Sequence, residues 1–511
     1  MKNSFGNWLI TAVAFYLLAS QSGCRTISQW AVPHDLLTFP RTPIYTNDQG
    51  RFYDVHHTGK ADFAILKDET GRLNVLAYDD AGDGHFNRTY RLSDYRNQDV
   101  PHVVLMIDSM PYRMVAKRYA AGEWGWFYPP QKVIPPFPSM SIVIFNEIVH
   151  GPPLKAAIER YYDPGMKAVN NQVFDLAFGR QFPWQYRLDF EEDKYWKTGL
   201  TYLNPRPWYQ YELAAAKSAA DKSLNSVVLT YLVTGSGMAS KYGENGINEA
   251  LDQIEQFCMQ LIYERHGAIK ISILSDHGHN LSLSKNITPD ICDTLRKAGF
   301  NPTTRIKNPR QDVFVEVDGL ATYFGVRTTQ PSKVADTLLA RPEVQLALYQ
   351  EGERVIIRDA RAIAAITCHG TLLKYAPITG DVLGYQPLLQ RLAAEGKVDA
   401  AGFVEDQVWL EETRDLEWPD VPRRAWDAFH RLVVNPASVM FTVQDGFCAG
   451  YGNLDKWIRM ESTHGGLNQI NSDAVLMTMT GPIPKVLRSR DVLPAIEPRY
   501  TPYLPPHSPN R

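Results

Sequence analysis

An α/β fold on a mostly parallel central sheet flanked by helices is predicted by three observations. The first is a set of short, β-branched apolar runs that stop at polar residues: Val103–Ile107 before Asp108, Val227–Val233 before Thr234, and Ile271–Ser275 before Asp276-His277-Gly278. Runs this short, bounded this sharply, suit buried parallel strands, which are covered on both faces and show no alternation. The second is that each polar stop follows its strand, at the carboxyl edge where open α/β sheets keep their chemistry. The third is size: 511 residues with 44 % apolar content can bury one large core with smaller attachments.

Residues 1–24 read as an export leader. Lys2 precedes the apolar stretch Trp8 to Ala19, which is too short for a comfortable span, and Ser22-Gly-Cys24 follows. Small residues before a cysteine resemble a bacterial lipobox, with Cys24 acylated as the first mature residue. An ordinary secreted protein or an uncleaved anchor is the alternative. All three place the main domain outside the cytoplasm, and the lipid reading adds a membrane partner and a cell-envelope location. Cys258, Cys292, Cys368 and Cys448 show no metal spacing.

After a linker over residues 25–48, residues 49–97 carry a small repeat that predicts a β appendage. Tyr53-Asp-Val-His-His-Thr-Gly-Lys-Ala-Asp62 recurs as Tyr78-Asp-Asp-Ala-Gly-Asp-Gly-His-Phe-Asn87. Oxygen side chains around a Gly turn resemble calcium loops, with Asp54, Asp62, Asp79 and Asp83 as ligands, although the closing bidentate Glu is missing. Plain Asx/Gly turns account for the pattern equally well. Aromatic clusters at Trp124–Tyr128 and from Trp184 to Tyr211 suit packing better than a substrate entrance.

The main domain is expected over residues 98–485. Ile134-Pro-Pro-Phe-Pro-Ser-Met-Ser141 is a proline-stiffened segment ending in a hydroxyl residue, and Ile142-Val-Ile-Phe145 continues it as a helix start, where backbone N–H groups favour an anion. Ser462-Thr-His-Gly-Gly466 sets His464 on a glycine-flexible loop before the strand Ala474–Met479. Adjacent Asp276 and His277 offer an oxygen and a nitrogen to a borderline divalent metal from one rigid position.

With these segments in this order the chain resembles the alkaline phosphatase superfamily, in its type I phosphodiesterase and nucleotide pyrophosphatase branch. The resemblance covers roughly residues 100 to 485 and is loose between about 300 and 440. It implies an alkaline-phosphatase-like sheet, a metal on Asp108, Asp276 and His277, Ser141 as the nucleophile bound to it, and His464 in a second metal site. The implied cofactor is divalent, zinc first, with manganese or magnesium as alternatives. The implied substrate is a phosphate-ester small molecule or nucleotide.

The chain departs from that family where an Asp and a His four residues on are expected. Thr234-Gly-Ser-Gly-Met-Ala-Ser-Lys-Tyr-Gly243 puts Ser236 and Ser240 at the two positions, or Thr234 and Met238 in another register. Neutral hydroxyls and thioethers are poor ligands for such an ion, so the second site keeps only His464 of its usual three. His279, just past Gly278, is a loop residue able to substitute a nitrogen. A further departure is His150-Gly151 where the family has Thr-Gly.

Between Asn301 and Val443 the order strand, strand, helix, strand suggests an inserted α+β cap, with Arg423 and Arg424 on a solvated face. Residues 486–511 read as a proline-rich tail. With 53 Lys and Arg against 56 Asp and Glu, the charge carries no nucleic-acid footprint. The functional expectation is an exported, metal-dependent phosphoric ester hydrolase, most readily a phosphodiesterase. The rival is a degenerate envelope lipoprotein of the same fold with a binding role.

Overall fold

The computed structural model describes residues 37–171, 182–190, 201–223, 227–451 and 459–497. Cys24 and the leader lie outside them, as does the end of the proline-rich tail. No helix among the described residues is long and apolar enough to cross a membrane.

An N-terminal meander of five antiparallel strands, β1 (Tyr45–Asn47), β2 (Gly50–Tyr53), β3 (Phe63–Lys67), β4 (Leu73–Tyr78) and β5 (Arg88–Arg91), occupies the repeat region. It is joined to the main core rather than hung from it. Phe63, Ile65, Leu76 and Tyr78 are buried together with Ile262 and other residues of the helix Thr234–Glu264, and the Tyr78 hydroxyl donates to the Tyr263 carbonyl at 2.9 Å. The hydrogen bonds here are those of the turn alternative. Asp54 accepts the amides of Thr58 and Gly59, Asp62 those of Val55 and His56, Asp79 those of Gly82 and Gly84, and Asp83 that of His85. These carboxylates close their own loops and form no cluster of metal donors among the described residues.

The central sheet has six strands: β6 (His102–Ile107), β7 (Gln131–Ile134), β8 (Val227–Leu232), β9 (Lys270–Ser275), β10 (Ala474–Thr478) and β11 (Val486–Arg488), in the spatial order β8-β6-β9-β10-β7-β11. Only β10 runs against the others. The register decides the site. Ile107 lies opposite both Leu232 and Ser275, so β8, β6 and β9 end level and Asp108 and Asp276 leave the sheet side by side. Because β10 is antiparallel, its start lies at that same edge, which brings the preceding loop with His464 across it. β11 and the helix Val492–Ile496 belong to this domain, which therefore runs past residue 485 into the segment expected as a tail.

A second, nine-stranded sheet spans Asn301–Glu405 and takes in Val439–Val443. It falls within the span expected as a cap, about 300 to 440, and braces the site directly. Ala321 and Tyr323 are buried with Phe137, Met140 and Leu467, and the Thr322 amide donates to the His464 carbonyl at 2.7 Å. Trp124, Trp126 and Phe127 are buried in the main core, so these aromatics pack rather than line an entrance. The cysteines 258, 292, 368 and 448 are free thiols.

Candidate active site

Asp108 and Asp276 each leave a buried strand into a tight turn, and both are almost fully buried. The Ser109 amide donates to Asp276 Oδ1 at 3.0 Å and its hydroxyl to Asp108 Oδ1 at 2.6 Å, tying the two strand ends together. The Tyr231 hydroxyl donates to Asp108 Oδ2 at 2.7 Å, and the His277 amide to Asp276 Oδ1 at 2.9 Å. Asp276 Oδ2 is buried with no donor.

That oxygen lies 3.2 Å from His277 Nε2, and Asp108 Oδ1 lies 3.7 Å from the same nitrogen. This is not an ion pair. His277 Nδ1 sits 3.0 Å from the Gly278 carbonyl, which can only accept, so the proton is on Nδ1 and Nε2 presents a lone pair to the carboxylate. Lone pair faces lone pair. Burial drives the His277 imidazole down to about 3, which keeps it neutral. Burial, and then the charge of Asp276, push Asp108 well above the usual carboxylate range, and burial raises Asp276 to about 7. Two carboxylates and an imidazole nitrogen facing one another at these distances repel unless protons or a cation lie among them, and a cation takes the place of the protons. The residues therefore fit a divalent metal: donor atoms of Asp108, Asp276 and His277 lie within 4.8 Å of one another.

Ser141 is the first residue of the helix Ser141–Ile148, ahead of the intrahelical ladder that begins where Val143 and Ile144 donate to the Met140 carbonyl. Its Oγ is 3.4 Å from Asp108 Oδ2 and 3.3 Å from His277 Nε2, at the mouth of the acidic cluster. Arg424, expected on a solvated face, is instead buried behind this loop. Its guanidinium donates to Ser139 Oγ, Ser472 Oγ and the carbonyls of Leu467 and Pro419, and so fastens the loop before Ser141 to the loop that carries His464.

His464 comes to the same edge, with its ring stacked on His277 at a centroid distance of 3.7 Å. Its Nδ1 donates to the Ser139 carbonyl at 3.0 Å. Ser236 and Ser240 are buried in the first turns of the helix Thr234–Glu264 and bring no charge or imidazole to the edge; Thr234 and Met238, from the other register, are buried there too. The helix starts against the tip of β6: a Cβ on Gly235 would overlap the Asp108 carbonyl oxygen, so only glycine fits. His279 joins the site as well. Nitrogens of His277, His279 and His464 lie within 4.8 Å of one another. Two sequence signals led to this second group, the Ser462-Thr-His-Gly-Gly466 loop for His464 and the position of His279 just past Gly278. Nothing in the sequence marks Ser109, Tyr231 or Arg424, which act through partners distant along the chain.

No family model matches the sequence, and neither does any curated protein. Solved structures do match. The chain is similar in fold to nucleotide pyrophosphatases/phosphodiesterases. Murine ectonucleotide pyrophosphatase/phosphodiesterase 5 matches at a TM-score of 0.40 and 10 % identity, over 77 % of this chain and 92 % of that one. The human protein of the same name matches at 0.40 and 11 %, over 77 % and 93 %. Phosphonoacetate hydrolase from Sinorhizobium meliloti 1021, in complex with phosphonoformate, matches at 0.41 and 11 %, over 82 % and 97 %.

Proposed function

We propose that this protein is an exported, metal-dependent hydrolase of phosphoric esters that uses Ser141 as its nucleophile and works most readily on diesters. The observation that carries this reading is the position of Ser141 Oγ, 3.4 Å from Asp108 Oδ2 and 3.3 Å from His277 Nε2, at the rim of a buried donor set that needs protons or a cation among its atoms. A divalent ion held by Asp108, Asp276 and His277 supplies a charge that lowers the pKa of the serine hydroxyl and neutralises phosphoryl oxygens. Zinc suits the mixed oxygen and nitrogen set, with manganese and magnesium as alternatives.

The chain's own groups do the rest. Ser141 Oγ attacks phosphorus, the Oγ–P bond forms, and the ester P–O bond opposite breaks as the alcohol leaves with its oxygen. Water then cleaves the Oγ–P bond, returning serine and releasing the phosphate product. The first amides of the helix Ser141–Ile148, those of Ser141 and Ile142, would stabilise the equatorial oxygens. A diester carries one negative charge fewer than a monoester dianion, which matters beside two buried carboxylates. Hence the preference for diesters, among them nucleotide-derived small molecules.

Zinc-loaded protein is expected to hydrolyse bis(4-nitrophenyl) phosphate faster than 4-nitrophenyl phosphate and to leave the matching carboxylic ester intact. The hydroxyls at Ser236 and Ser240 favour the rival reading, a binding protein of the same fold, and ligand binding without turnover of either phosphate would select it. Lipid anchoring through Cys24 completes the proposal. In a bacterial host the mature protein should partition with membranes and Cys24→Ser should release or misprocess it. Soluble wild-type protein with an unmodified N-terminus would count against the anchor.

A further inference from the structure

We infer that His279 and His464 form a second divalent-metal position beside the carboxylate site, an imidazole donor pair in place of what Ser236 and Ser240 cannot offer. The inference deepens the proposed function and rests on it for the first ion. Three observations carry it. Nitrogens of His277, His279 and His464 converge within 4.8 Å. His279 is fully buried and its Nε2 has no hydrogen-bond partner. Each ring is also held from behind through Nδ1: His277 by the Gly278 carbonyl, His464 by the Ser139 carbonyl, and His279 by Ser462 Oγ at 2.6 Å.

That rear contact determines what the front offers. Carbonyl oxygens accept only, so His277 and His464 carry their protons on Nδ1 and turn Nε2 lone pairs inward. Ser462 Oγ already accepts the Leu281 amide at 3.0 Å and has a second lone pair for His279 Nδ1–H. The opposite tautomer would bury an Nε2–H with no acceptor, so His279 also presents a lone pair. Metal-bound histidines show the same arrangement, each oriented by an oxygen on the far nitrogen.

The lone pair of His277 Nε2 belongs to both groups and serves one ion at a time. With His277 engaged beside Asp108 and Asp276, His279 and His464 would hold the second ion through two nitrogens. Such a site binds more weakly than the first and selects zinc, cobalt or nickel over magnesium and calcium, because it lacks carboxylates.

The test is a metal count. Full-length protein stripped by chelator, re-equilibrated with Zn²⁺ and freed of excess is expected to retain two ions by plasma mass spectrometry, with the second one lost first on dilution. His279→Gln should retain one, and with Co²⁺ it should lose the bands of the nitrogen-bound ion. Ser462→Ala leaves both ligands in place and should weaken the second ion by about 10- to 100-fold, so the inference stays testable if His279→Gln misfolds. One ion in the wild-type protein, or two retained by His279→Gln, would overturn it. Two ions bound with no phosphodiester cleavage would instead sink the proposed function and leave the second site standing.

Discussion

Ser141→Ala is expected to lower phosphodiester hydrolysis on the order of 10⁴-fold or more while leaving the metal content unchanged. The reason is geometric. Ser141 Oγ sits at the mouth of the donor cluster between Asp108 and His277, so its removal deletes the attacking atom and leaves Asp108, Asp276 and His277 in place. Ser141→Thr, which restores a hydroxyl at the same helical position, should recover measurable turnover, and Ser141→Cys should bind metal with altered selectivity. Steady-state rates alongside metal analysis check the pair of expectations. An alanine variant that still turns over diesters would show that water or another residue attacks phosphorus.

Removing the metal is expected to cost stability, and the cost should grow with pH. Burial raises Asp276 to about 7 and Asp108 further, so the metal-free native state holds protons that the unfolded chain releases near the ordinary carboxylate value. Stability from such a group is present at low pH and is lost as pH rises through the folded pKa. The buried imidazoles shift the opposite way. Their folded values lie well below the ordinary one, so they weaken the fold only as pH falls below about 6.5.

Above that pH the histidines are neutral in both states and buried carboxyls set the slope, the Asp108–Asp276 pair together with Glu159 and Glu316, which burial also raises. Chelated protein should therefore lose thermal stability between about pH 6.5 and 8.5. Zn²⁺ replaces the protons and should add about 4 kcal/mol at a thousandfold excess over its Kd, with the larger rise in Tm at the higher pH. Asp276→Asn should flatten the decline and abolish most of the zinc response. Melting curves at the two pH values, with and without zinc, decide it; a zinc shift that ignores pH would remove the carboxyl pair from the site.

Much of the fold was legible because its signals are local. A buried parallel strand must be apolar on both faces and must stop where the chain meets solvent or a site, so Val103–Ile107 and Ile271–Ser275 announced both the sheet and the residues at its edge. The proline-stiffened approach to Ser141 and the Ser-Thr-His-Gly-Gly loop were readable for the same reason: backbone constraint is written in Pro and Gly. The Asp-rich turns were only half readable. Calcium loops and Asx turns use the same residues, and the difference is where the second carboxylate oxygen points, which here is toward an amide of its own loop.

By itself, then, the amino-acid sequence determined which strands exist, which donors stand at their ends, and that Ser236 and Ser240 bring no metal-binding charge. Tertiary structure decided what those donors meet. Level strand ends placed Asp108 beside Asp276, antiparallel β10 returned His464 over the same edge, and Ser462 turned a loop histidine into an inward-facing nitrogen at His279. Arg424, a surface charge by composition, became the buried tie between the Ser139 loop and the loop after His464 because oxygens of Ser139, Leu467 and Ser472, 43 to 285 residues away, converge on it beside the nearby Pro419 carbonyl. Register and hydrogen-bond partners across hundreds of residues have no local pattern, since each depends on which chain segment arrives opposite, and only the packed fold specifies that.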